Sequence, residues 1–354
     1  MRRAVKIPLK FATGRKRRAI DVLLQEYRRV VNLYIQSVWD EPGRLDKDTL
    51  ARVQNTSLSQ RYKSQALRQA LQTVVLTKKA SKATGRPCSV PMFSGGAKLD
   101  AKFVSLEEGK GSFDLVLKLS TLRKGHRITV PLKRTKVLNK WLARGELVQG
   151  CELTTTHVIL WVDVPMQEPK EGHTLALDMG VNKLLTTSDG QFLGAEFKAH
   201  RDRVKNSQSG TKAKRRAIEA RNQYINEVLN KIPWDQLGTL VLEDLRGIKE
   251  GKNPKRGRSF RKAMAPWVHG FVRDRIIHKA EENRVRLHYV DPAYTSQTCP
   301  QCNTVSRNNR SNELFCCVGC GFTSDADLVG ARNILARHLT GRSVESLPPR
   351  KVRL

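Results

Sequence analysis

At 354 residues and 39% hydrophobic side chains, the chain is long enough for two or three domains with real cores. No stretch approaches the roughly 20 apolar residues of a membrane span, and the basic start, MRRAVKI, lacks the apolar core of a signal peptide. A cytoplasmic protein with no membrane partner is therefore expected. Lys and Arg number 65 against 33 acidic residues, a net charge of +32. That self-repulsion needs a polyanion to offset it, which makes nucleic acid the expected partner.

The chain opens on a strand over 2–11, RRAVKIPLKF. A helix is predicted over 15–38, where Ile20, Leu23, Leu24, Tyr27, Val30, Val31, Tyr34 and Ile35 recur at three and four. Its opposite face carries Arg17, Arg18, Arg28 and Arg29. Segment 47–78 also reads as helical. From residue 87 the period changes to that of short strands, over 99–105, 112–119, 126–131, 148–154 and 156–164. The helical segment thus looks inserted after the first strand of a small β-domain, and 165–172 reads as a linker. Beyond it, strands are expected at 174–178, 183–188 and 191–196. A basic helix at 212–230, a strand at 239–243, a helix at 265–282, a strand at 285–290 and a helix from Asp327 to Leu339 follow. Pattern alone makes this one of several α/β possibilities.

Three carboxylates sit where such elements end. Asp178 follows the apolar run TLAL, and Gly180 beside it permits close approach of backbone or substrate. Glu243 and Asp244 close the run LVL, and Asp325 and Asp327 precede the last helix, either able to cap it. Hard carboxylate oxygens are the ligands that hold paired Mg²⁺ ions for phosphodiester hydrolysis. Taken singly, an Asp after a strand or before a helix is more often a turn residue or a cap. Asp244 and Asp325 compete for the role.

The cysteines fall at 88, 151, 299, 302, 316, 317 and 320. Cys299-x-x-Cys302 and Cys317-x-x-Cys320 have the spacing of a four-thiolate Zn²⁺ site, with Cys316 spare. Four thiolates leave no open position, so this zinc is structural. Arg307, Asn308, Asn309 and Arg310 lie on the connecting loop, where contact with nucleic acid and plain solvation are equally good readings. Two basic stretches, 198–216 and 249–262, flank the carboxylates and suit a nucleic-acid strand. Trp39, Trp141, Trp161, Trp234 and Trp267 are assigned to cores or hinges, and the histidines show no ligand spacing.

Four segments, LALDMGVNKLLTTSDG (175–190), LVLEDLRGIK (240–249), YTSQTCPQC (294–302) and FCCVGCGFTSDADLVGARNIL (315–335), resemble the RuvC-I, RuvC-II, zinc-finger and RuvC-III segments of TnpB proteins, relatives of the compact type V CRISPR effectors. The resemblance covers roughly 174–339. It implies an α/β, RNase H-like (RuvC) nuclease domain over 172–293 and 326–354, interrupted by a zinc-binding element over 294–325. An N-terminal β-rich wedge domain (1–12 and 81–168) would carry a helical recognition lobe (13–80). By motif position the catalytic, Mg²⁺-binding residues are Asp178, Glu243 and Asp327, and the Zn²⁺ ligands are Cys299, Cys302, Cys317 and Cys320. Val329 stands where the family usually has Asn.

The family's activity is RNA-guided cleavage of double-stranded DNA beside a short adjacent motif, with a structured guide RNA as partner, one protein per guide. The 249–262 loop would then sit as a lid over the site. A guided DNA-binding protein or repressor with weak cleavage is the alternative from another class, and a compact CRISPR effector the alternative within this one. A structural RNA-binding protein gives no reason for three carboxylates in those motifs.

Overall fold

The computed structural model describes residues 1–41, 45–85, 87–123, 125–245, 268–341 and 343–344. The basic stretch 249–262 and Trp267 lie outside the described residues. The chain divides into two units, Met1–Met166 and Gln167–Leu354.

In the first unit, β1 (Arg2–Pro8) turns Val5 and Ile7 inward by strict alternation. It pairs antiparallel with β8 (His157–Asp163), Val5 opposite Leu160. With β7 (Gly150–Leu153), β2 (Ala97–Asp100) and β6 (Glu146–Leu147) these form a five-stranded sheet. β3 (Val104–Glu108), β4 (Leu115–Ser120) and β5 (Arg127–Leu132) form a separate antiparallel meander. The strand expected at 99–105 is thus two, β2 and β3, belonging to different sheets. The short helix α4 (Lys136–Leu142), capped by Thr135, escapes the periodicity because it is barely two turns long.

Between β1 and β2 run α1 (Gly14–Val38), α2 (Lys47–Gln54) and α3 (Gln60–Thr84). The single helix expected over 47–78 is broken at 55–59. There the Thr56 hydroxyl donates to the Val53 carbonyl at 2.7 Å and Ser59 starts a new helix. Side chains of this kind compete with the backbone for hydrogen bonds and end helices. The buried faces of α1 and α3 meet at Tyr27, whose hydroxyl donates to Gln69 Oε1 at 2.8 Å, while Gln69 Nε2 donates to the Gly96 carbonyl at 2.9 Å. Burial pushes the Tyr27 phenol upward, as expected for a hydroxyl locked in a core.

The second unit is built on a six-stranded sheet in the order β11-β10-β9-β12-β13-β17. β9 (His173–Met179), β10 (Leu185–Thr187) and β11 (Phe192–Leu193) are antiparallel neighbours. β12 (Leu237–Glu243) and β13 (Arg286–Val290) run parallel to β9, and β17 (Ser343–Val344) closes the edge antiparallel. The crossover from β9 to β12 contains α5 (Phe197–Asn206) and α6 (Lys212–Asn230), and that from β12 to β13 contains α7 (His269–Asn283). α5 was hidden in the sequence because it buries only Phe197 and Val204 among basic residues.

Strand alternation sorts this sheet into two faces. Leu175, Leu177, Leu240 and Leu242 pack in one cluster with Ile225 and Val228 of α6 and Val272 and Ile276 of α7. Ala176, Val241 and Val290 point the other way, against Ile334 of α8 (Ala326–Leu339). Before α8 the chain forms a small element of three antiparallel strands: β14 (Arg310–Ser311), β15 (Leu314–Cys316) and β16 (Thr323–Asp325). No described helix is long and apolar enough to cross a membrane.

Candidate active site

The period-2 rule carries the sheet's second face from Ala176 to Asp178 and from Val241 to Glu243. In the parallel ladder Leu242 lies opposite Leu177, so the two carboxylates stand side by side one step beyond it. Both are half-buried. The third comes from α8. Asp325 is that helix's N-cap, accepting from the amides of Asp327 at 2.9 Å and Leu328 at 3.1 Å. Asp327 is thereby in the first turn, buried, and faces the sheet.

Gly330, one turn further on, lets the helix approach. A Cβ there would lie 2.8 Å from Asp178 Oδ2, and one on Gly180 would lie 3.9 Å from Asp327 Oδ2. Asp178, Glu243 and Asp327 thus line one cleft of about 520 Å³, together with Thr295, Arg310 and Glu313. The two competitors are elsewhere. Asp325 accepts from Lys183 Nζ at 2.7 Å, and neither it nor Asp244 lines the cleft.

Burial pushes the Asp178 carboxyl up to about 8, reinforced by the neighbouring charges of Glu243 and Asp327. Burial also raises Glu243, opposed by the hydrogen bond it receives from the Thr295 hydroxyl. Three carboxylates crowded out of water store repulsion that a bound cation would relieve. Hard oxygen donors around one cleft fit divalent cations of the Mg²⁺ type.

One cation of the protein already reaches into this cleft. Arg310 Nη2 donates to Asp327 Oδ1 at 2.8 Å, and its Nε donates to the Asn312 carbonyl at 3.0 Å. Of the loop 307–310, then, Arg310 turns to the carboxylates. Asn309 is buried as a staple, donating to the carbonyls of Gln297 and Thr304 and accepting from the Val318 amide at 3.0 Å. Thr295 is the site residue that sequence reasoning passed over, and Arg310 was placed on the connecting loop but not beside the carboxylates. The available signal was position: both lie in the cysteine-rich element, Thr295 within YTSQTC and Arg310 shortly before β15.

The sulfurs of Cys299, Cys302, Cys317 and Cys320 all lie within 4.8 Å of one another, with 3.7 Å between Cys299 and Cys320 and 3.5 Å between Cys302 and Cys317. Tetrahedral thiolates at about 2.3 Å from an ion would be about 3.8 Å apart, so this cluster fits a metal. Each pair forms the same knuckle. The amide four residues on, of Asn303 or Gly321, donates to the carbonyl of the first cysteine, and that same residue is left-handed with φ 59° or 74°. Cys316 is exposed and lies outside the cluster. Cys299, Phe315 and Cys317 pack with Ala326 and Val329 of α8. Val329, standing where Asn was expected, therefore faces the cysteine element rather than the carboxylates.

Other basic side chains are already engaged. Arg17 donates to the carbonyls of Ala12 and Lys10, Arg28 to that of Gly95, and Arg29 pairs with Glu26. Arg18 is exposed. Within 198–216, Arg201 Nη1 donates at 2.8 Å to the Val181 carbonyl, bracing the turn beside the cleft. Trp141 and Trp234 are buried, the latter donating to the Leu229 carbonyl at 2.7 Å.

Residues 269–334 match the model of the Cas12f1-like TNB domain. The CRISPR-associated endodeoxyribonuclease Cas12f1 of Sulfoacidibacillus thermotolerans is 30% identical over 127 residues, 36% of this chain and 28% of that one. The TnpB-like protein MJ0751 of Methanocaldococcus jannaschii is 30% identical over 28% of this chain and 34% of its own. The chain is related to TnpB proteins and the compact type V CRISPR effectors. InsQ of Escherichia coli strain K12, provisionally named an RNA-guided DNA endonuclease, is 29% identical over 46% of this chain and 48% of its own. The matched segments span less than half the length of each of these relatives. A cryo-EM structure of a Cas12f1–sgRNA–target DNA complex aligns with 90% of this chain and 81% of that one, at 14% identity and a TM-score of 0.48.

Proposed function

We propose that this TnpB relative is an RNA-guided DNA endonuclease that hydrolyses phosphodiester bonds at one carboxylate site. The observation that carries the reading is the meeting of Asp178, Glu243 and Asp327 in a single cleft of a chain with a net charge of +32. An acidic island inside a basic protein is what positions divalent cations beside a phosphate backbone. The names of the Cas12f1 and InsQ relatives, both of endonucleases, support it.

In this reading the second unit is an RNase H-like, RuvC-type nuclease domain over 172–293 and 326–354, with the cysteine element over 294–325 inserted before α8. The sheet order, three antiparallel strands followed by two parallel ones, supports it. Residues 1–12 and 81–168 form the wedge, and 13–80 the recognition lobe. Asp178, Glu243 and Asp327 would hold two Mg²⁺ ions, which when bound would supply an activated water and charge neutralisation at the leaving oxygen. Cys299, Cys302, Cys317 and Cys320 hold a structural Zn²⁺.

The remaining chemistry belongs to the chain itself. Thr295 orients Glu243 by donating to it, and the Asp325 cap fixes the first turn of α8 and so Asp327. Arg310 places a guanidinium beside Asp327, where it can pair with a phosphate oxygen as charge develops. Sequence is read by pairing between a structured guide RNA and the target, and the protein reads a short adjacent motif. Such work belongs in the cytoplasm.

The test is cleavage. The protein is co-expressed with its flanking genomic DNA, the bound RNA is sequenced, and a matched target library is challenged with Mg²⁺. Specific double-strand cuts lost in Asp178→Ala are expected. Bound RNA and target protection without cuts would leave a guided binder, and absence of bound RNA would overturn both.

A further inference from the structure

A second open groove, of about 730 Å³, lies along the same helix as Asp327 and is lined by Tyr294, Asn303, Val305, Asn333, Ala336 and Arg337, among others. At about 1.5 Å per residue, Asn333 and Ala336 stand about 9 and 14 Å along α8 from Asp327. The segment 292–298 is the wall between the two hollows. Pro292, Thr295 and Ser296 face the carboxylates, and Tyr294 and Thr298 face the groove.

Tyr294 is 59% exposed, and among the described residues only it and Phe192 are strongly exposed aromatics. Phe192 is covered by the Lys183 ammonium, 4.2 Å from its ring centroid. Among the described residues no cation lies over the Tyr294 ring. The Tyr294 backbone is left-handed, φ 62°, a conformation a bulky residue rarely adopts and only against strain. That strain is offset by its own carbonyl, which accepts from the amides of Gln297 and Thr298, both at 3.0 Å, and from the Thr298 hydroxyl at 2.8 Å. Arg337 braces the same turn by donating to the carbonyls of Asp291 and Ala293. Asn333 Nδ2 holds it from α8, donating to the carbonyls of Thr295 at 2.7 Å and Thr298 at 2.8 Å. An aromatic ring is thus held out to solvent on a rigid base, at the edge of a groove that only this one turn separates from the candidate active site.

We propose that this groove seats one unpaired base of the DNA strand entering or leaving the carboxylate cleft, with Tyr294 as its stacking platform. The proposal rests on the nuclease reading for the strand's presence. Every base offers a π-face, so a stacking platform suits a protein whose sequence reading is done by pairing elsewhere, and each such contact is worth about 1–3 kcal/mol. With stacked bases about 3.4 Å apart, the seated base lies about three to four nucleotides from the bond being cut. Val305 supplies apolar wall, and Asn303 and Thr298 supply polar edges.

The test uses the full chain with its bound RNA, carrying Asp178→Ala so that DNA is held uncut. Single-stranded DNA oligonucleotides bear 2-aminopurine at successive positions across the cleavage site. Quenching at one position, about three to four nucleotides from the cut, is expected, retained in Tyr294→Trp and Tyr294→Phe. Tyr294→Gly accommodates the left-handed backbone, so its Tm should be unchanged or raised while quenching disappears and oligonucleotide affinity falls about 5- to 150-fold. Equal quenching and affinity in Tyr294→Gly would overturn the groove proposal and leave the nuclease reading standing. Quenching by an RNA probe but not by DNA would also overturn it. If the Tyr294 parent binds no DNA oligonucleotide at all, the nuclease reading itself falls, and the groove proposal with it.

Discussion

Arg310 and Asp327 are joined by a hydrogen-bonded ion pair of 2.8 Å between the cysteine-bearing element and the first turn of α8. The element that would bind zinc therefore contributes a side chain to the carboxylate cleft, besides packing on the helix behind it. Replacing Arg310 with Ala is expected to lower target cleavage about 10²-fold at saturating Mg²⁺, with guide RNA retained. Lysine should restore only part, because a point charge lacks the guanidinium fork. Cleavage rates of the two variants, measured beside RNA content, check this; a rate unchanged in Arg310→Ala would remove the residue from the chemistry.

The Asp178 carboxyl titrates late, displaced from 3.8 to about 8 by burial and by its acidic neighbours. Between those values the unfolded chain has released this proton while the folded chain keeps it. The folded state binds more protons there, so stability falls as pH rises through the window. Glu243, also raised, acts with the same sign. In Mg²⁺-free buffer Asp178→Asn should raise Tm by about 2–4 °C at pH 8 and by little at pH 5. Thermal melts at both values decide it, and an equal shift at the two would show that the charge is not the cause.

Gly330 exists where α8 crosses Asp178. An added Cβ would meet Asp178 Oδ2 at 2.8 Å, which a small adjustment of that carboxylate can relieve. A leucine cannot be relieved so easily, since its branches would occupy the cleft floor. Gly330→Leu should cost about 1–3 kcal/mol of stability and displace Asp178, while Gly330→Ala is much milder. Denaturant melts together with cleavage assays separate the two effects. Loss of cleavage in the Leu variant at full stability would point to the carboxylate alone.

The cysteine cluster shares its packing with α8 through Val329 and Ala326. Elemental analysis should find about one zinc per chain, lost in Cys317→Ser. The same variant should lose cleavage although every carboxylate is intact, because the element that carries Arg310 and Thr295 is no longer held. Cleavage surviving zinc loss would show that the helix positions Asp327 without that support.

Lys183 ties the turn after β9 to this element, donating to Asp325 at 2.7 Å and lying 3.8 Å from Glu313. The pair with Asp325 is about a quarter exposed on each side, and it holds Asp325 below the usual carboxylate range against the effect of burial. Lys183→Met should lower Tm modestly, by about 1–3 °C, with the loss largest above pH 4, where Asp325 is charged. A melt series from pH 3 to 7 tests the sign.

Much of this protein follows from local rules that need only the chain. The alternation in β1 and the three-and-four spacing in α1 put their elements in place, and the spacing of the two CxxC pairs alone points to a four-cysteine cluster able to hold a metal. Asp178 and Glu243 are legible as strand ends because strand period is a property of consecutive residues. What needed the tertiary structure were relations between segments far apart in sequence. Asp325 and Asp327 are equivalent to a reader of one helix start, and only the packing of α8 on the sheet makes one the cap and aims the other at the cleft. For Arg310 the sequence leaves nucleic-acid contact and plain solvation equally open, and only the fold brings that loop to Asp327. Gly330 is small for a reason that lies on β9, some 150 residues earlier, where the Asp178 carboxylate must fit against the helix. Periodicity records which side of an element is buried, and it carries no information about which distant charge the buried side will meet.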